Sequence, residues 1–145
     1  MPVPLTVGRY RPDTVNSILG KGIAFPITKS QTGGIALSEG EENIRTSILE
    51  LLSTFVGEGI RSFFVKDGVI YGVRLRLYLF EKTNDVADLI KYEIKRAISV
   101  WEPRVVVDYV DCITPVDSTA DGRKRVNATV GYTVVATGLR DSVKI

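Results

Sequence analysis

Residues 84–113 read NDVADLIKYEIKRAISVWEPRVVVDYVDCI, and this stretch decides the fold. Val86, Ile90, Ala97 and Trp101, with Leu89, Ile94 and Ile98, recur at helical spacing and predict one buried stripe on a helix opened by Thr83 or Asn84. Pro103 stops that helix, because the residue before a proline resists helical torsions. Arg104 to Ile113 then reads as an apolar strand. Its natural antiparallel partner is Lys124 to Thr137, where Val126, Ala128, Val130, Tyr132, Val134 and Ala136 take every second position. The two are joined through Pro115 to Gly122.

Working toward the N-terminus, Val73, Leu75, Leu77 and Leu79 alternate with Arg74, Arg76, Tyr78 and Phe80, which by period alone predicts a strand. Before it, Phe63 to Val65 and Val69 to Tyr71 flank Lys66-Asp67-Gly68 and predict a hairpin. A first helix is expected from about 39 to 56. Ser38 and Glu41 have capping-box spacing, and Glu39, Glu41 and Glu42 suit the positive end of the dipole. Ile44, Ile48, Leu51, Leu52 and Phe55 form its apolar face, and Gly57 suits the left-handed position past its end. GKGIAFPI, from Gly20 to Ile27, is a short strand candidate followed by a polar loop at Ser30 to Gly34. Pro2, Pro4 and Pro12 mark residues 1–19 as an arm, and 138–145 read as a tail, leaving 20–137 as the domain. The class is α+β, a small mixed or antiparallel sheet packed with two main helices.

Composition narrows the function. A chain of 145 residues with 44% hydrophobic and 25% charged content supports one ordinary core. A net charge of +2 argues against nucleic acid as the main partner, and Arg123-Lys124-Arg125 beside Asp121-Gly122 reads as a solvated turn. No apolar run is long enough for a membrane helix, and MPVPLTVGRY lacks a signal peptide's charged start, so a cytoplasmic setting is expected. Cys112 is the only cysteine and reads as a buried, inert thiol.

The chain has no histidine, which removes the usual nucleophile relays and the commonest zinc ligand. Gly20-Lys21-Gly22 lacks phosphate-loop spacing and reads as a turn; no cofactor or metal site is indicated. Paired carboxylates are the catalytic option left, with Glu58, Glu81 and Glu102 at element ends, but no pair has a distinctive spacing. At the corner, Pro103 holds Glu102 extended, so Glu102 and Arg104 project to the same side. Glu102 there meets the negative end of the helix dipole. The corner is therefore either a helix stop with an incidental surface pair or a docking point.

Taken in order, GKGIAFPI, the glycine loop, NIRTSILELLSTFVGE, LFEKTND and WEPRVVVDYV resemble the baseplate wedge, or sheath-initiator, family of contractile phage tails, also called lysozyme-like. A related subunit belongs to the type VI secretion baseplate. The chain departs from that pattern after the first helix. Gly57-Glu58-Gly59 with a displaced Arg61 stands where the family has Gly-Glu-Arg, and SFFVKDGVIYG replaces the usual link. The resemblance implies a fold like the C-terminal domain of the sheath protein and a short helix, rather than a strand, near Val73 to Leu79. It implies no enzymatic activity, with a carboxylate-dependent peptidoglycan hydrolase or the secretion counterpart as alternatives. It implies partner contacts through Trp101, Glu102, Pro103, Arg104 and Glu58. A strand-exchanging edge is implied at Val126, Ala128, Val130, Tyr132 and Val134. Implied partners are the tail sheath protein, wedge and hub proteins and the tail tube, in several copies around the axis of a virion tail.

Overall fold

The computed structural model describes residues 18–58, 60–80, 83–113 and 127–145. Strands β1 (Lys21–Ile23) and β2 (Leu37–Glu39) pair antiparallel and lead into α1 (Gly40–Ser53). A 3₁₀ turn at Ile60–Phe63 precedes the hairpin of β3 (Val65–Lys66) and β4 (Val69–Ile70), and a second 3₁₀ turn spans Leu75–Phe80. Helix α2 (Thr83–Trp101) then feeds β5 (Val105–Ile113), β6 (Asn127–Val134) and β7 (Arg140–Lys144), an antiparallel sheet in the order β5-β6-β7. The class is α+β, as expected.

The two helices bury their stripes against one sheet face. Ile44, Ile48 and Leu51 of α1 and Ile94, Ala97 and Ile98 of α2 are at most 2% exposed, as are Val130, Tyr132, Val134 and Val143 of the sheet. Leu89 departs from the predicted stripe and is 44% exposed. In β5 a bulge between Val107 and Tyr109 resets the alternation, so Val105 and Val107, then Val110 and Cys112, face the core.

Several boundaries differ from expectation, each for a physical reason. Helix α1 begins at Gly40, and Ser38 is a buried β2 residue whose hydroxyl donates to Asn43 Oδ1 rather than capping the helix. The helix stops at Ser53, where the hydroxyl and amide of Thr54 both bond the Glu50 carbonyl. Gly57 does take a positive φ of 92°, but in a separate turn closed by Glu58 N–H on the Phe55 carbonyl. Lys21 and Gly22 belong to β1, not to a turn.

The alternating run at 73–79 is not a strand. Val73 bridges Phe55, and then the chain winds into 3₁₀ turns, with Leu77 N–H on the Arg74 carbonyl. A threefold repeat puts Leu75 and Tyr78 inward and leaves Leu77 57% exposed, which a twofold repeat does not. The short helix implied by the family resemblance is the correct reading. The bridge at Val73 needs Gly72, whose φ is +107° and whose added Cβ would lie 2.7 Å from the Thr54 carbonyl oxygen.

The C-terminal residues are not a tail. Arg140–Lys144 form β7 and pair with β6 from Thr129↔Lys144 to Thr133↔Arg140. Strand β6 is therefore the central strand, and Ala128, Val130, Tyr132 and Val134 are buried in the core rather than set along an edge. Val126, the Pro115–Gly122 connection, the Arg123–Arg125 run, Glu81 and residues 1–17 lie outside the described residues. Leu19, assigned to the arm, is 1% exposed and part of the core.

Candidate functional site

The corner after α2 is built by the helix stop. Glu102 N–H still bonds the Ile98 carbonyl at 2.8 Å, but Pro103 has no N–H to continue the ladder, and Val105 N–H folds back to the Glu102 carbonyl. This places Glu102 and Arg104 on one side, as expected. It also buries Glu102, which is 2% exposed, instead of leaving it on a solvated helix end. Arg104 donates Nε to Glu102 Oε1 and Nη2 to Oε2, both at 2.5 Å. This fork geometry is the strong form of an arginine–carboxylate pair. The bond to Glu102 raises the Arg104 pKa above its ordinary value, against a desolvation that lowers it.

The third nitrogen explains what the pair is for. Arg104 Nη1 donates to the Leu19 carbonyl, which also accepts Asn43 Nδ2 at 3.3 Å. Asn43 in turn accepts Ser38, and Gly40 N–H bonds the Gly20 carbonyl. The corner therefore ties the end of α2 and the start of β5 to the segment entering β1 and to the start of α1. Glu102 is committed inside the molecule, which corrects the expectation that it meets a partner directly. Pro103 is exposed and the Arg104 side chain is 31% exposed, so part of the corner still reaches the surface. Trp101 packs edge-on against Tyr71 at 5.3 Å, and its Nε1 is buried without a hydrogen-bond partner among the described residues. A groove of about 340 Å³ runs beside Arg104, between β1 and α1, with Ile23, Phe25 and Ile27 on one wall and Asn43, Thr46 and Ser47 on the other.

Glu58 sits apart from this network in an exposed turn. It accepts Phe55 N–H at 3.3 Å and lies 3.8 Å from Arg76, whose guanidinium stacks over Phe55. Neither Glu58 nor Glu102 is arranged as a glycosidase acid: one is a solvated turn residue and the other has both oxygens held by a guanidinium. Among the described residues no cluster of acids and cysteine could hold a metal. Cys112 is half-buried, and burial pushes its thiol pKa up.

The sheet supplies a second surface. Ala128 and Ile145 exchange both backbone bonds at 2.9 Å, so by antiparallel alternation Val130/Val143 and Tyr132/Asp141 are also bonded pairs. The main-chain groups of Arg140, Ser142 and Lys144 then point away from β6, and no described strand pairs with that side. Among the described residues, the Ser142 N–H is held only by the neighbouring Asp141 side chain, at 2.7 Å.

The model of the baseplate wedge protein gp25 family matches residues 38–139, a span running from β2 through α1, α2, the corner and β6. The chain belongs to the gp25 family of baseplate wedge proteins. Two solved structures are similar to it. A chain of the anti-feeding prophage baseplate is 27% identical, with a TM-score of 0.63, over 81% of this chain and 89% of that one. A candidate tail lysozyme from Geobacter sulfurreducens is 29% identical, with a TM-score of 0.60, over 75% of this chain and 90% of that one. No curated protein matches. The family match begins at Ser38 and so includes Asn43, Glu102 and Arg104, while Leu19 and all of β7 lie outside it.

Sequence reasoning found the Glu102–Arg104 pair but missed Leu19, Asn43 and β7. Asn43 left a signal: it is a polar residue beside Ile44 on the buried face of α1. The Leu19 contact is to a main-chain carbonyl and leaves none.

Proposed function

We propose that this wedge protein initiates the sheath of a contractile tail, linking the baseplate to the first sheath ring by accepting a strand from the sheath protein. The observation that carries the reading is the outer edge of β7, which no strand pairs among the described residues. Unpaired main-chain groups on an edge are a template for another strand, and a protein that leaves them open without a use risks aggregation. Wedge and hub proteins, and the tail tube, would meet the opposite region, where Trp101, Pro103 and Arg104 border the groove beside β1. Glu102 would contribute there by holding Arg104 in place, and Glu58 by its own exposed turn. Several copies would surround the tail axis in the virion, after assembly in a host cytoplasm.

The test is Ser142→Pro. Its N–H faces outward, so the β6–β7 ladder keeps its bonds while the open edge loses a donor. Folded protein and intact baseplates without attached sheath are expected; normal sheaths on the variant would overturn the reading.

The likeness to a candidate tail lysozyme favours one second reading, peptidoglycan hydrolysis. A turbidity assay separates the two. Lysis abolished by Glu58→Gln, or by a Glu102→Gln variant that stays folded, would establish the hydrolase, and absence of lysis by the folded wild-type chain would remove it.

A further inference from the structure

Among the described residues, the core is unfilled at one end. A cavity of about 440 Å³ opens between the C-terminal half of α1, the second 3₁₀ turn, α2 and the β6–β7 end of the sheet. Leu49, Leu52, Leu75, Ile90, Ala128 and Ile145 give it apolar walls. This volume is within the range of sites that hold a small molecule or a large side chain. Among the described residues, the charged ones lining it are Arg76 and Lys144, both cationic. Arg76 is shared with Glu58 at 3.8 Å, whereas Lys144 has no ion-pair partner among the described residues.

We propose that this cavity receives one large apolar side chain from an extended, acidic segment of a neighbouring assembly protein. Two observations select that occupant. The cavity adjoins Lys144 and Ile145 at the end of the open β7 edge, whose main-chain groups a peptide backbone satisfies and a lipid does not. The cationic rim complements a carboxylate placed next to the apolar anchor, and such complementarity governs partner choice more than raw affinity. The inference rests on the strand-accepting reading and adds to it the chemistry of the arriving segment.

The probe is a pair of fluorescein-labelled hexapeptides with a central tryptophan, flanked by aspartates in one and by lysines in the other, titrated into the full-length protein by anisotropy. The aspartate peptide is expected to bind at least tenfold more tightly. Ala128→Leu, which fills the cavity from its 3%-exposed position in β6, should weaken it at least tenfold without lowering the melting temperature. Leu49→Phe fills the cavity from α1 and replaces Ala128→Leu if that variant does not fold. Lys144→Glu should remove the preference for aspartate. Equal binding of the two peptides, or binding untouched by a folded cavity-filling variant, overturns the proposal. So does dodecanoate binding that the aspartate peptide does not displace, which would assign the cavity to a lipid. Sheath that attaches to wild-type particles and to Ala128→Leu particles alike removes only the cavity assignment, whereas normal sheath on Ser142→Pro removes the edge reading beneath it.

Discussion

Arg104 holds both carboxylate oxygens of Glu102 at 2.5 Å while its remaining nitrogen reaches the carbonyl of Leu19. A corner that reads as a possible docking point is first of all a fastening within the fold.

That relationship predicts an asymmetry. Arg104→Ala leaves a buried carboxylate unpaired and should cost about 3 kcal/mol or more, a scale at which baseplate defects follow from instability. Replacing both partners, as in Glu102→Leu with Arg104→Met, should recover most of that loss. Denaturant melts of the single and double variants check it, and equal stabilities for Arg104→Ala and wild type would show the pair to be incidental.

Gly72 should be among the least replaceable small residues. Its φ of +107° is strained for any side chain, and the Thr54 carbonyl occupies the space a Cβ needs. Gly72→Ala is expected to cost about 2 kcal/mol or more and to loosen the bridge between Phe55 and Val73. Hydrogen exchange at the Val73 amide, which bonds the Thr54 carbonyl at 2.9 Å, reports the loosening directly.

The helices and the β5–β6 pair were legible because each carries a full apolar repeat: Ile90, Ile94 and Ile98 on α2, Ala128, Val130, Tyr132 and Val134 on β6. Strand β7 was not legible, since in Arg140-Asp141-Ser142-Val143-Lys144 only Val143 is fully buried and no alternation exists to read. The run at 73–79 misled because a threefold helix and a twofold strand share Leu75, and the inward packing of Tyr78 with the exposure of Leu77 separates them. At the corner, Glu-Pro-Arg spacing showed that two side chains meet but not that Leu19, 85 positions away from Arg104, closes the network.

Tyr132 should resist ionisation. Burial raises its pKa well above the ordinary 10.0, and Asp141, 3.1 Å from its hydroxyl, adds to this. A pKa raised in the folded state contributes stability that is fully present below pH 10 and is lost as pH rises beyond it. Ultraviolet titration of the folded protein should therefore leave a tyrosine protonated at a pH where the unfolded chain has titrated completely. Tyr132→Phe should flatten the fall in melting temperature above pH 10, and an unchanged slope would contradict the assignment.

Cys112 should react slowly with a disulfide reagent at pH 8, because burial disfavours its thiolate. Unfolding should speed the reaction several-fold, measured by release of the chromophore. Equal rates folded and unfolded would show the thiol to be unprotected.

The most direct test of the account is a reconstruction of the assembled particle at side-chain resolution. It should show a strand from the sheath protein hydrogen-bonded along Arg140, Ser142 and Lys144, extending the sheet beyond β7. A sheath-bearing particle in which that edge of β7 faces solvent, or is covered by a helix, would contradict it.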